Sequence, residues 1–127
     1  MKLLLTDWQG RISPVFDSAG HFMYVQIENQ EIVKKELLSI PFDDIQSRIK
    51  IIKKIRPDFI VCGAISCFYE RLILDMNIQL ISRIKGETNL IVKSMAENTF
   101  QKENHIMPGC RGKGFKHRNR KGWKNQF

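Results

Sequence analysis

The stretch Pro57-Asp58-Phe59-Ile60-Val61-Cys62-Gly63-Ala64-Ile65-Ser66 constrains this chain more than any other. The apolar run from Phe59 to Cys62 follows a proline and stops at glycine and small residues. That is how a strand buried on both faces reads in the middle of a parallel sheet. Behind it, Phe68, Leu72 and Met76 recur at four-residue spacing, which predicts a helix over 67–76 with one apolar stripe. A strand, a glycine-containing turn and a helix start in succession make a site. The first N–H groups of a helix have no intrahelical partners, and the helix dipole favours negative charge there. Ligands of open α/β sheets sit at the carboxyl ends of the strands, and here two thiols, Cys62 and Cys67, flank that position.

The remainder of the chain supplies neighbours for this strand. Lys2 to Thr6 reads as a first strand, followed by a turn over Asp7–Arg11 and a loop with Pro and Gly punctuation through Gly20. His21 to Ile27 reads as a largely buried strand, Glu28-Asn29-Gln30-Glu31 as a hairpin turn, and Ile32 to Leu38 as an edge strand with lysines facing out. Asp43 is placed to cap a helix, with Gln46 completing a capping box. Ile45, Ile49 and Ile52 follow the helical period, and Pro57 ends it. A short strand over 78–81 and a helix from about Glu87 to Glu97 complete a body of order βββαβαβα. The expected architecture is a mixed five-stranded sheet with helices on both faces, its first, central and last strands parallel.

The chain has 127 residues and a net charge of +8, and the charge is unevenly placed. Residues 1–105 carry 14 Lys and Arg against 13 Asp and Glu, a net of +1, whereas residues 106–127 carry 7 basic residues and no acid. The body is nearly neutral and the tail is basic, Gly-rich and without apolar periodicity. The expected division is therefore a domain over 1–100 and a tail over 101–127. No apolar run is long enough to span a bilayer. The start lacks the long apolar segment and cleavage site of a signal peptide, so the expected location is cytoplasmic. Three cysteines argue against a secreted disulfide framework and leave free thiols or metal ligands.

The strand order resembles the dinitrogenase iron–molybdenum cofactor biosynthesis family. So do the loop Arg11-Ile12-Ser13-Pro14-Val15-Phe16-Asp17-Ser18-Ala19, the segment Asp58–Ile65, and Met76-Asn77-Ile78-Gln79-Leu80-Ile81 followed by Gly86. The resemblance covers roughly residues 1–100. It implies a ribonuclease-H-like α/β fold and a cargo, an iron–sulfur or iron/molybdenum–sulfur cluster, held between the loop after the first strand and the turn after the central one. Relatives often carry a histidine shortly after the phenylalanine equivalent to Phe16. Here Asp17 and Ser18 stand there, and the nearest histidine is His21.

Metal–sulfide clusters are anionic and soft, so they suit thiolate or imidazole ligands surrounded by N–H donors and cations. The expected cluster-binding residues are Cys67, Gly63, Ser66, Ser18, Arg11 and His21, with Arg83 and Lys85 as further cations. Cys67 and Cys110 are the candidate metal ligands, each weighed against simple packing, and Cys62 is expected in the core. Cys62, Cys67, His105 and Cys110 have the residue types of a zinc site but no standard spacing. No catalytic constellation is present: Asp7 and Asp17 lack a third acid at the end of the central strand, and there is no phosphate-binding glycine loop. Two functions from different classes follow. One is a cluster-binding protein working with a cluster-assembly partner. The other is a nucleic-acid- or partner-binding accessory protein acting through the basic tail, with Phe115, Trp123 and Phe127 against bases.

Overall fold

The computed structural model describes residues 1–40 and 44–107. Along the chain run β1 (Lys2–Trp8), β2 (Arg11–Ile12), β3 (His21–Glu28), β4 (Glu31–Ser39), α1 (Ile45–Ile55), β5 (Phe59–Val61), α2 (Cys67–Asp75), β6 (Gln79–Ile81) and α3 (Thr88–Ala96). The sheet order is β4-β3-β1-β5-β6, with β2 paired to the end of β1. β1, β5 and β6 are parallel neighbours, and β3 and β4 extend the sheet antiparallel on the other side of β1. This is the expected mixed α/β architecture, consistent with a ribonuclease-H-like fold.

Among the described residues the sheet has six strands rather than five. The extra one, β2, lies where the sequence reads as loop. Gln9 and Gly10 both take positive φ (52° and 83°) and fold Arg11–Ile12 back onto Asp7 and Trp8. Asn29 and Gln30 (φ 52° and 65°) make the same kind of two-residue turn between β3 and β4. Such turns match the right-handed twist of the strands they join.

Alternation along the strands divides the core into two layers. Leu3, Leu5, Val25, Val61 and Ile81 face α3, where Ile91, Val92 and Met95 cover them. Leu4, Tyr24, Ile60, Cys62 and Leu80 face the other way, beneath Ile52 of α1 and Tyr69 and Ile73 of α2. Helices therefore cover both faces of the sheet.

Two helices are rotated relative to the sequence expectation. α1 is capped by Asp44, whose Oδ1 accepts from the Ser47 N–H at 2.7 Å, not by Asp43, which lies outside the described residues. Its inward face holds Ile52 and Arg48, while Ile45 is exposed. Arg48 is buried because its guanidinium donates to the carbonyl of Ala19, tying α1 to the loop before β3. In α2 the fully covered positions are Tyr69 and Ile73, and Phe68 is 53% exposed. The Tyr69 ring meets Phe16 edge-on at 5.0 Å between centroids, and that anchor turns Phe68 outward.

Past α3 the chain returns to the sheet. Lys102–His105 forms a 3-10 turn, and Ile106 bridges to Ile84. Lys85 N–H donates to His105 O at 2.7 Å, and Met107 N–H donates to Arg83 O at 2.9 Å. The His105 ring stacks on Phe100 with centroids 5.4 Å apart.

Candidate functional site

Three loops meet at the carboxyl ends of β1, β5 and β6, and backbone hydrogen bonds stitch them together. Ala64 N–H donates to Pro14 O at 2.8 Å, and Phe16 N–H donates to Ala64 O at 2.7 Å. From the third loop, Arg83 N–H reaches Gly63 O at 2.8 Å and Ile84 N–H reaches Cys62 O at 3.0 Å. These bonds are all long-range in sequence, so they fix the site's frame only once the sheet has formed.

Gly63 is the pivot of this frame. A Cβ on it would lie 2.4 Å from Pro14 O and 2.6 Å from Ser13 O, distances no side chain tolerates. The close approach that its missing side chain permits is made by the chain's own first loop. The start of α2 is likewise partly engaged. Asp17 Oδ1 accepts from the Ser66 N–H at 3.0 Å, and Ser66 Oγ accepts from the Tyr69 N–H at 3.3 Å. Ser66 is thus the N-cap, Asp17 is its outer support, and Cys67 follows as the first, exposed residue of the helix.

The two thiols differ sharply. Cys62 is fully buried, and desolvation pushes its thiol far above the ordinary range. Arg83 works against that shift, while Glu70 and Asp17 reinforce it. All three charges therefore act at this end of the sheet. Arg83 is held at φ 61°, a left-handed conformation uncommon for a side-chain-bearing residue, between a backbone bond to Gly63 and one from Met107.

Of the expected residues, the structure groups Gly63, Ser66 and Cys67 with the loop that carries Asp17 and the exposed Ser18. Arg11 and His21 belong to a neighbouring cluster. Arg11 bridges to Glu87, and His21 stands opposite Asp7 in the sheet. Asp7 is buried there and accepts from Thr88 Oγ1 at 2.9 Å, a link between β1 and α3 that the sequence reading placed in a turn. Lys85 is exposed. Cys110 lies outside the described residues. Among the described residues, no three His, Cys, Asp or Glu side chains gather as a metal site. A zinc quartet including Cys62 is at odds with that thiol's place in the apolar layer under α2. Reading the sequence missed Asp17 as the residue that orients the helix start. Its partner is 49 positions away, and no local pattern signals it.

No protein-family model and no curated protein matches the chain. Solved structures do. The crystal structure of PH0822 superimposes with a TM-score of 0.73 at 15% identity, over 81% of this chain and 95% of that one. MJ0327 of Methanocaldococcus jannaschii, provisionally named a dinitrogenase, superimposes in its crystal form with a TM-score of 0.65 at 20% identity, over 80% of this chain and 93% of that one. Its NMR structure gives 0.63 at 19% identity, over 86% and 93%. At these identities the likeness is one of fold. Among the described residues no helix is long and apolar enough to cross a membrane.

Proposed function

We propose that this chain binds an anionic metal–sulfur cluster, of the iron–sulfur or iron/molybdenum–sulfur type, and carries it, stores it or helps assemble it together with a cluster-assembly protein. The observation that carries this reading is the exposed Cys67 thiol at the first residue of α2, on a frame stitched from three strand-end loops. The fold shared with the provisionally named dinitrogenase MJ0327 supports it. A cysteine thiolate is the soft donor that iron in a sulfide cluster takes. Two of the amides at that start are already engaged by Asp17 and Ser66, so the thiol is the group that binds. Arg83 supplies positive charge. The exposed Ser18 stands on the loop that carries Asp17, and the buried Gly63 sets the turn that presents the thiol. Arg11 and His21, in the neighbouring cluster beside Asp7, take no direct part in this reading. One exposed thiolate, with a second ligand such as Cys110, holds a cluster loosely enough to pass it on by ligand exchange. That suits a carrier better than a redox protein with a closed site.

Anaerobic reconstitution with iron, molybdate and sulfide, followed by visible absorption and metal analysis, tests the reading. Wild type should take up a cluster. Cys67→Ala should lose most of it, and Cys62→Ala, if folded by melting temperature, should retain it. Equal retention in both variants, or no uptake by wild type, overturns thiolate ligation at Cys67. A second reading rests on the charge distribution. With 7 basic residues and no acid in residues 106–127, the tail would bind single-stranded nucleic acid weakly and with a steep salt dependence. Fluorescence anisotropy with an oligonucleotide at two salt concentrations separates this from cluster binding.

A further inference from the structure

We propose that the cleft between α1 and the outer strands is a binding site for a small organic anion, one acid group on an apolar body. It is separate from the thiol-bearing end of the sheet. The cleft encloses about 500 Å³, the size of a small-molecule site. Cations reach it from three elements: Lys2 from β1, Lys34 from β4 and Lys54 from α1. Register explains part of this convergence. Lys2 pairs with Gln26, and Gln26 pairs with Lys34, so the two lysines lie in one row across three strands and on one face.

The only acid among the described lining residues is Glu36. It lies 3.9 Å from Lys34, with both side chains more than half exposed, and such a pair neutralises little. Among the described residues, Lys2 and Lys54 form no salt bridge. The rest of the lining is mostly apolar, Ser39 apart. Leu38 contributes from β4 and Ile51 and Ile55 from α1, while the buried Tyr24 lies beneath with Lys34 Nζ over its ring, 5.7 Å from the centroid. Inorganic phosphate would satisfy the lysines and leave those apolar side chains wet. A neutral apolar molecule would offer the exposed ammonium groups no opposite charge in place of the water it displaces. The lining fits a molecule that offers both: an acid between Lys2 and Lys54, and an apolar body against Leu38, Ile51 and Ile55.

The test uses the full chain, with 2-naphthoate as probe and the uncharged 2-naphthylmethanol as its isostere, followed by amide chemical shifts. The naphthoate should shift the Tyr24, Leu38 and Ile55 amides saturably. The alcohol should bind about tenfold more weakly, the cost of one lost charge-assisted contact. The double variant Lys2→Gln/Lys54→Gln, with an unchanged melting temperature, should bind the naphthoate about as weakly as wild type binds the alcohol. Equal affinity for acid and alcohol, unchanged affinity in the double variant, or shifts that map to other residues would each overturn the site.

Discussion

Cys62 and Cys67 are the same residue type five positions apart, and the structure gives them opposite fates. One ends the run of β5 inside the layer under α2. The other opens α2 in solvent. The turn between them makes the difference. Gly63 lets the Ser13–Pro14 backbone lie against it, and that contact directs the chain out of the sheet and into the helix. A thiol's chemistry is thus decided less by its neighbours in sequence than by a loop roughly fifty residues upstream.

The strongest way to break the contrast is to fill the turn. Gly63→Ala forces a methyl group into two backbone carbonyls held by the Phe16–Ala64 and Ala64–Pro14 hydrogen bonds. Relief requires the two loops to separate, and a loss of about 3 kcal/mol in urea unfolding is expected. A loss under about 0.5 kcal/mol would mean the loops part freely and do not frame the site.

Next in size is the exchange of each sulfur for oxygen. Cys62→Ser buries a hydroxyl in an apolar layer and should cost about 2 kcal/mol. Cys67→Ser changes an exposed position and should stay within about 0.5 kcal/mol. Similar losses for both would erase the distinction.

The contrast sharpens further in alkali. Burial raises the Cys62 thiol in the native state from its ordinary value of 9.0, so the unfolded chain ionises first and binds fewer protons. Stability contributed by that neutral thiol is complete below the ordinary value and declines as pH rises above it. Wild type should therefore lose stability above about pH 9 more steeply than Cys62→Ala, and native-state labelling should modify Cys67 long before Cys62. Equal labelling rates would place both thiols in solvent.

The smallest effect concerns the segment that returns over Arg83. Desolvation lowers the His105 pKa from 6.5, so the folded state resists protonation. The unfolded state binds the proton first as pH falls, and docking weakens below about 6.5. The protection factors of the Lys85 and Met107 amides, whose acceptors are His105 O and Arg83 O, should fall there once the intrinsic slowing of exchange in acid is divided out. Protection factors that are flat across that range would show that the ring's environment does not matter to docking.

Most of the fold was legible because its signals are local. The run Phe59–Val61, the stop at Pro57 and the punctuation around Asn29 each fix an element through nearby residues alone. What escaped was set at long range. Tyr69 rather than Phe68 faces the core because Phe16 is there to receive it. Arg48 is buried because the Ala19 carbonyl waits on another element. Asp7 stays in the strand because Thr88, 81 residues later, supplies a partner. The candidate site divides in the same way. Glycine and thiols at a strand end are visible in the sequence, but Asp17 on the helix start and the separation of Arg11 and His21 from it depend on tertiary pairing.

The outermost strand has a consequence for how this protein behaves at high concentration. Among the described residues nothing pairs with the outer edge of β4 (Glu31–Ser39), where Ile32, Val33 and Leu37 are 44–52% exposed, a template on which a second chain can grow a sheet. Two features frustrate that growth. A shift in register between Gln26 and Ile27 leaves Val33 without a partner, kinking the edge where a ladder would run. A two-fold pairing centred on Lys35 would match each Lys34 with a Glu36 but would set Lys35 against its own copy, and Lys35 is already bound to Asn89 of α3. Growth in that register would begin by uniting two like charges, so Lys35 penalises the one pairing that its flanking charges would otherwise favour.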